Sequence, residues 1–245
     1  VTVAAGRVAW LARWPVKSVG GEPLRRARLD GHGLAGDRLF ALIDDRRSHL
    51  ARPYLTAREA PRMLRWRAAY PGAPDDDLVD GQEPGATVIG PDGRVWTTDD
   101  DGLAGALADD LGFAVTIRRE PGQQDLRDSI LLTVEASLAA LGDELGGRLD
   151  HRRFRPNLHL ELDSAPFAEE GWEGGRLLLE GGVVLRLHHP CERCAIPTLD
   201  PETADRRPEL LRHLTVRHDG LFGLNARVET GGLVTLGEAV RVEAA

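Results

Sequence analysis

Lysine is nearly missing from this chain. Of 31 basic residues in 245, Lys17 is the only lysine and the rest are arginine. Asparagine occurs twice, at Asn157 and Asn225, and cysteine twice, at Cys191 and Cys194. Two cysteines do not make a secreted disulfide scaffold, and they fit a reducing, cytoplasmic setting. No apolar run approaches the roughly 18 residues of a membrane span, and no signal-peptide core stands near the N-terminus, so no membrane partner is expected. Positive charge is not in surplus either. A net charge of -8 argues against nucleic acid or an anionic membrane as partner, since both reward the opposite sign.

Composition is otherwise that of a soluble globular protein, with 42% hydrophobic and 29% charged residues. The length allows one large domain or two small ones. Short Val-, Ile- and Trp-rich runs punctuated by Gly and Pro predict a mainly β architecture with few helices. Strands are expected near residues 6–14, 23–29, 39–43, 66–70, 113–117, 129–132, 158–162, 183–187 and from 221, with hairpins over 87–97 and 231–242. Helical spacing marks Leu103, Leu107 and Leu111 behind Asp99–Asp101, a second helix capped by Thr133, and a third over Glu202 to Leu214. The polar turn Glu120-Pro121-Gly122-Gln123-Gln124 predicts a boundary between units 1–119 and 120–245.

Chemistry concentrates in His188-His189-Pro190-Cys191-Glu192-Arg193-Cys194. Two soft thiols at this spacing, with the Arg193 guanidinium beside them to favour a thiolate, mark a thiol site. The same pair also reads as two small core residues, an incidental disulfide, or half of a zinc site completed by His188 or His189. Lys17-Ser18 beside Gly20-Gly21 reads as an anion cradle or a solvated loop. Arg38, entering a strand after a glycine-rich loop, and Arg155-Pro156-Asn157, entering another, read as binding groups or as ordinary strand entries. Residues 40 to 117 show no chemistry.

Several of these stretches share one resemblance. PCERCAIPTLDPET is similar to the cysteine segment of MOSC domains, the module named after the C-terminus of molybdenum cofactor sulfurase. WPVKSVGGEPL, GLAGDRLFALID, LTAREAPRM, SILLTVEASLAALG, FRPNL and LFGLNA resemble further segments of the same family in the same order. The subgroup they look like is the mitochondrial amidoxime-reducing component and its bacterial relatives.

The resemblance implies an N-terminal β-barrel-like MOSC-associated domain and a C-terminal MOSC β-barrel, with a molybdenum cofactor in the cleft between them. It implies Cys194 as the catalytic residue and protein ligand to the metal. Lys17, Ser18, Arg38, Ser129, Arg155, Asn157, Arg193 and Asn225 are the expected cofactor contacts. The family often has Ser or Thr followed by Pro where this chain has Arg127-Asp128-Ser129. Cys191 inherits no role. The implied activity is reduction of small N-hydroxylated compounds, with electrons from a separate flavoprotein, ferredoxin or cytochrome-type donor, since no fused ferredoxin domain is visible. The alternative is a cofactor carrier or sulfur-transfer module using a Cys194 persulfide.

Overall fold

The computed structural model describes residues 1–47, 49–50, 53–75, 78–79, 81–119 and 129–245. In chain order the strands are β1 (Thr2–Arg13), β2 (Glu22–Pro23), β3 (Arg26–Asp30), β4 (Gly33–Leu34), β5 (Phe40–Asp44), β6 (Arg67–Ala69), β7 (Thr87–Ile89) and β8 (Val95–Thr97). Helix α1 (Asp101–Leu111) and β9 (Val115–Arg119) follow, then β10 (Ser129–Val134), α2 (Glu135–Glu144), β11 (Leu158–Leu162) and β12 (Arg176–Leu179). The chain ends with β13 (Val184–Glu192), α3 (Pro208–Arg217), β14 (Leu221–Thr230), β15 (Gly232–Thr235) and β16 (Ala239–Glu243).

Seven of these strands close into a barrel. The order is β11-β10-β14-β13-β12-β16-β1, and β1 returns to pair with β11. Closure leaves no free edge among the seven, and alternate side chains face inward. Val8 and Leu11 of β1, Ile130 and Leu132 of β10, Leu158 and Leu160 of β11, and Leu185 and Leu187 of β13 meet in that interior, all 3% exposed or less. Among the described residues the fold is therefore mainly β with three α-helices and a closed barrel, as the sequence implied.

β2 pairs with the end of β1, and the other strands form small sheets, β15-β3-β4, β5-β9 and β6-β7-β8. A second core, with Leu42, Leu55, Met63, Leu103 and Leu107 buried, lies among the last two of these and α1. A division at 119/120 remains a proposal about the sequence. In space β1 lies in the barrel with the C-terminal strands, and β3 pairs with β15. The predicted boundary turn Glu120–Gln124 lies outside the described residues. Among the described residues no helix is long and apolar enough to cross a membrane.

Three local expectations are corrected. Thr133 does not cap α2. It lies in β10, and its hydroxyl is 2.8 Å from His159 Nδ1. The third helix begins at Pro208 rather than Glu202, because proline suits the first helical position. Residues 202 and 203 instead donate backbone N–H bonds to the Asp200 carboxylate. Residues 231–242 form no hairpin, since β15 pairs with β3 while β16 pairs with β1 and β12.

Candidate functional site

At one rim region of the barrel β1 ends against the start of β11, Leu131 of β10 pairs with Asn225 of β14, and β13 extends past Pro190, opposite Leu224. The predicted strand 183–187 continues through Pro190 to Glu192, with register shifts at Leu187/Pro190 and Pro190/Glu192. Pro190 lies beyond the residues that pair with β12, where a missing N–H breaks no ladder. This bulged extension holds Cys191, and the loop after it holds Arg193 and Cys194. Both cysteines are free, Cys191 half-buried and Cys194 exposed.

A cavity of about 500 Å³ opens at this rim. Its wall includes Lys17, Ser18, Arg38, Arg155, Asn157, Arg193, Cys194 and Asn225, so eight of the nine residues singled out in the sequence share one space. Ser129 begins β10, and its side chain, like Arg127 and Asp128, lies outside what is described. The wall also includes Thr56, Arg58, Arg153, His189 and Glu192. Thr56 and Arg58 correct the expectation that residues 40 to 117 lack chemistry. The signal for them was the LTAREAPRM resemblance. Arg153, two residues before Arg155, is a cavity residue that the motif alone does not single out.

Six cationic side chains (Lys17, Arg38, Arg58, Arg153, Arg155 and Arg193) and one carboxylate, Glu192, line the cavity. In a protein of net charge -8, that local excess focuses positive potential into one cleft. Several of these cations have protein partners. Arg153 Nη2 donates to Asp200 at 2.7 Å. Arg38 pairs with Asp37 and donates from Nη2 to the Arg155 carbonyl at 3.1 Å. Arg193 donates from Nε to the Phe222 carbonyl at 2.8 Å and from Nη1 to the Phe154 carbonyl at 3.3 Å, fixing the cysteine loop to the rim.

Arg155 differs. It is 8% exposed and donates from Nη1 to the Val19 carbonyl at 2.9 Å. Its guanidinium lies 4.2 Å from the centre of the Trp14 ring. Nη2 is buried and has no hydrogen-bond partner among the described residues. Burial, then repulsion from Arg38, pushes this guanidinium down to about 9, against the opposing pull of Asp37 and Cys194. A buried cation with an idle donor is costly unless an anion meets it.

Two of the expected contacts have structural engagements. Asn157 is fully buried. Its Oδ1 accepts from Leu131 N–H at 3.1 Å and its Nδ2 donates to the Ala12 carbonyl at 3.3 Å, which locks β1, β10 and β11 together at the rim. Asn225 Nδ2 lies 3.4 Å from His189 Nδ1 and from the His189 carbonyl. Ser18, Arg38 and Arg155 adopt left-handed backbone conformations, with φ of 64°, 51° and 55°. Such angles disfavour residues with a Cβ and collect at functional sites, where the side chain has to be kept.

The MOSC domain model matches residues 119–241, about half of the chain, and the MOSC N-terminal beta barrel domain matches residues 5–106. The chain belongs to the MOSC family. Among curated proteins it is 24% identical to mitochondrial amidoxime reducing component 2 of Macaca fascicularis, over 96% of this chain and 83% of that protein. The human protein of the same name gives the same identity and coverage. Among solved structures, the YuaD protein from Bacillus subtilis aligns over the whole of both chains, with a TM-score of 0.54 and 13% identity. That likeness concerns the fold of this MOSC protein alone.

Proposed function

We propose that this MOSC protein binds a molybdenum cofactor in the rim cavity, with Cys194 as its metal ligand, and reduces small N-hydroxylated compounds. The observation that carries the reading is the idle, buried Nη2 of Arg155, in a cationic cavity that also contains an exposed free thiol. A group that is phosphorylated at one end and carries a thiophilic metal at the other fits both features. Lys17, Arg38 and Arg155 suit the phosphate through charge-assisted hydrogen bonds. Ser18 and Asn225 offer neutral polar contacts, while Asn157 fixes the strands that present Arg155. A thiolate at Cys194 would be a soft ligand for the metal, and the exposure of Cys194 gives a small substrate access to the site.

Zinc at the cysteines is less well supported. Among the described residues, neither cysteine belongs to a cluster of three His, Cys, Asp or Glu ligand atoms.

When bound, the molybdenum supplies two-electron removal of an oxygen atom from the substrate. Electrons come from a separate donor of flavoprotein, ferredoxin or cytochrome type, and the setting is cytoplasmic. These finer points rest on resemblance to the amidoxime reducing components and on composition.

The test is turnover by protein made with the cofactor pathway intact. Given a chemical or flavoprotein-derived reductant, it should convert an amidoxime or hydroxylamine over many cycles. Cys194→Ser should lose bound molybdenum and turnover together with little change in thermal stability, and Cys191→Ser should keep most of both. A stable persulfide on Cys194 with no more than one turnover in metal-replete protein would make the chain a carrier. Equal losses from both cysteine variants would refute the assignment of Cys194.

A further inference from the structure

Away from the cavity, α2 and α3 pack over a small apolar layer in which Leu138, Leu141, Leu210 and Leu214 meet Phe154 and Phe222. Three side chains converge at its edge. Glu144 is the last residue of α2, His213 lies within α3, and His218 is the C-cap of α3. Nε2 of His213 stands 2.6 Å from Glu144 Oε2, and Nε2 of His218 stands 2.9 Å from the same oxygen. All three ligand atoms lie within 4.8 Å of one another. None of the three residues lines the cavity.

We propose that Glu144, His213 and His218 bind one divalent transition-metal ion, zinc foremost. Two imidazole nitrogens and a carboxylate oxygen are a zinc donor set that leaves a fourth position for water. Tetrahedral bonds of about 2.0–2.1 Å hold ligand atoms about 3.3 Å apart, so the nitrogens of His213 and His218 need to leave the shared oxygen by about 0.7 and about 0.4 Å. The three groups are also held in place. The His218 ring packs 4.2 Å from the Phe167 ring, and its backbone N–H donates to the Leu214 carbonyl at 2.8 Å. The end of α2 is pinned by Arg207 Nη2, which donates to the Leu145 carbonyl at 2.8 Å.

Partial shielding suits an ion that exchanges slowly, since the three side chains are 33%, 22% and 10% exposed in the order Glu144, His213, His218. The ion would tie α2 to α3 across the layer that contains Phe154 and Phe222. The carbonyls of those two phenylalanines hold Arg193. The role that follows is structural, a clasp that stiffens the floor of the cysteine loop.

The test uses protein stripped with a chelator and carrying Cys191→Ser and Cys194→Ser, so that thiols do not compete. Titration with zinc against a chromophoric chelator should show one equivalent bound in the micromolar range or tighter. Cobalt in place of zinc should give visible absorption typical of a four-coordinate site. Glu144→Gln and His213→Gln should each weaken zinc binding by at least about tenfold. Zinc should raise Tm in the parent and not in these variants. Glu144→Gln keeps the size and shape of the side chain, and circular dichroism checks that it folds. No saturable zinc uptake by the parent would overturn the site, as would uptake unchanged in both variants. Neither outcome depends on molybdenum content, so this test and the one for the cavity fail separately.

Discussion

Arg13 and Arg155 are both buried arginines near the barrel rim, and their surroundings differ. Arg13 is fully enclosed. Its guanidinium meets Glu22 at 2.6 Å, lies over the Tyr70 ring at 4.6 Å, and donates from Nη1 to the Ala35 carbonyl at 3.2 Å. Arg155 has one carbonyl, one aromatic face and an idle nitrogen. A buried cation with its own carboxylate is complete within the protein. A buried cation without one gains most from an anion supplied from outside.

The contrast gives the largest expected effect. Arg13→Met takes the guanidinium away from the buried Glu22 carboxylate, which still accepts from the Tyr70 N–H at 3.1 Å, and should cost about 3–5 kcal/mol of folding stability. Arg155→Met removes a charge–carbonyl hydrogen bond and a desolvated charge together. The two offset, and the net change should stay within about 1 kcal/mol while cofactor content falls. Urea unfolding of the metal-free forms compares the two. Equal destabilisation would mean that Arg155 is structural and that the cavity has no special need of an anion.

Within the same turn, four residues before Arg155, His151 shows burial acting on a group with no external partner to meet. Its ring stacks 4.9 Å from His159 and stands edge-on 4.8 Å from Trp10. Burial, then the positive charge available to His159, pushes it down to about 4. An unfolded histidine titrates near 6.5, so between those two values the unfolded chain binds more protons. Stability from this group is therefore present above about pH 6.5 and is lost as pH falls toward 4, by about 3 kcal/mol at most. His151→Phe, which keeps a ring in the stack, should flatten the acid side of a stability–pH profile. An unchanged acid midpoint would show that other groups drive the loss.

The sequence revealed the strands far better than their pairing. Alternation in Leu158-His159-Leu160-Glu161-Leu162 is local and readable. The return of β1 to β11, which sets Gly6 against Leu162, depends on contacts about 150 residues apart, and no local pattern announces it. Thr133 was misread because a hydroxyl before a helical run has the same letter whether it caps the helix or meets a histidine from the next strand. At the cavity, the residues found were those inside distinctive motifs. Thr56 and Arg58 lie in LTAREAPRM, a resemblance that assigns them no role, and only folding brings them to the cavity wall shared with the cysteine loop. Left-handed backbone at Ser18, Arg38 and Arg155 was also invisible, since none of the three is glycine.

That last point leads to the smallest effect. In Val16-Lys17-Ser18-Val19-Gly20-Gly21 the left-handed residue is the serine, and the glycines stand where other atoms come close. A Cβ on Gly20 would sit 2.8 Å from the Trp66 carbonyl oxygen, and one on Gly21 would sit 2.3 Å from that of Arg13. Glycine is thus used where space demands it, and a side chain is kept at φ 64°, where glycine would be easier. Ser18→Gly relieves left-handed strain of about 1–2 kcal/mol and adds about 0.5–1 kcal/mol of chain entropy cost. Stability of the metal-free protein should rise by about 0–1.5 kcal/mol. If the hydroxyl is retained for a ligand, the same variant should lose cofactor during gel filtration faster than the parent, while Ser18→Asn, which tolerates the left-handed region, should retain more. A Ser18→Gly protein that is more stable and keeps its cofactor as well as the parent would leave the strained serine without a functional reason.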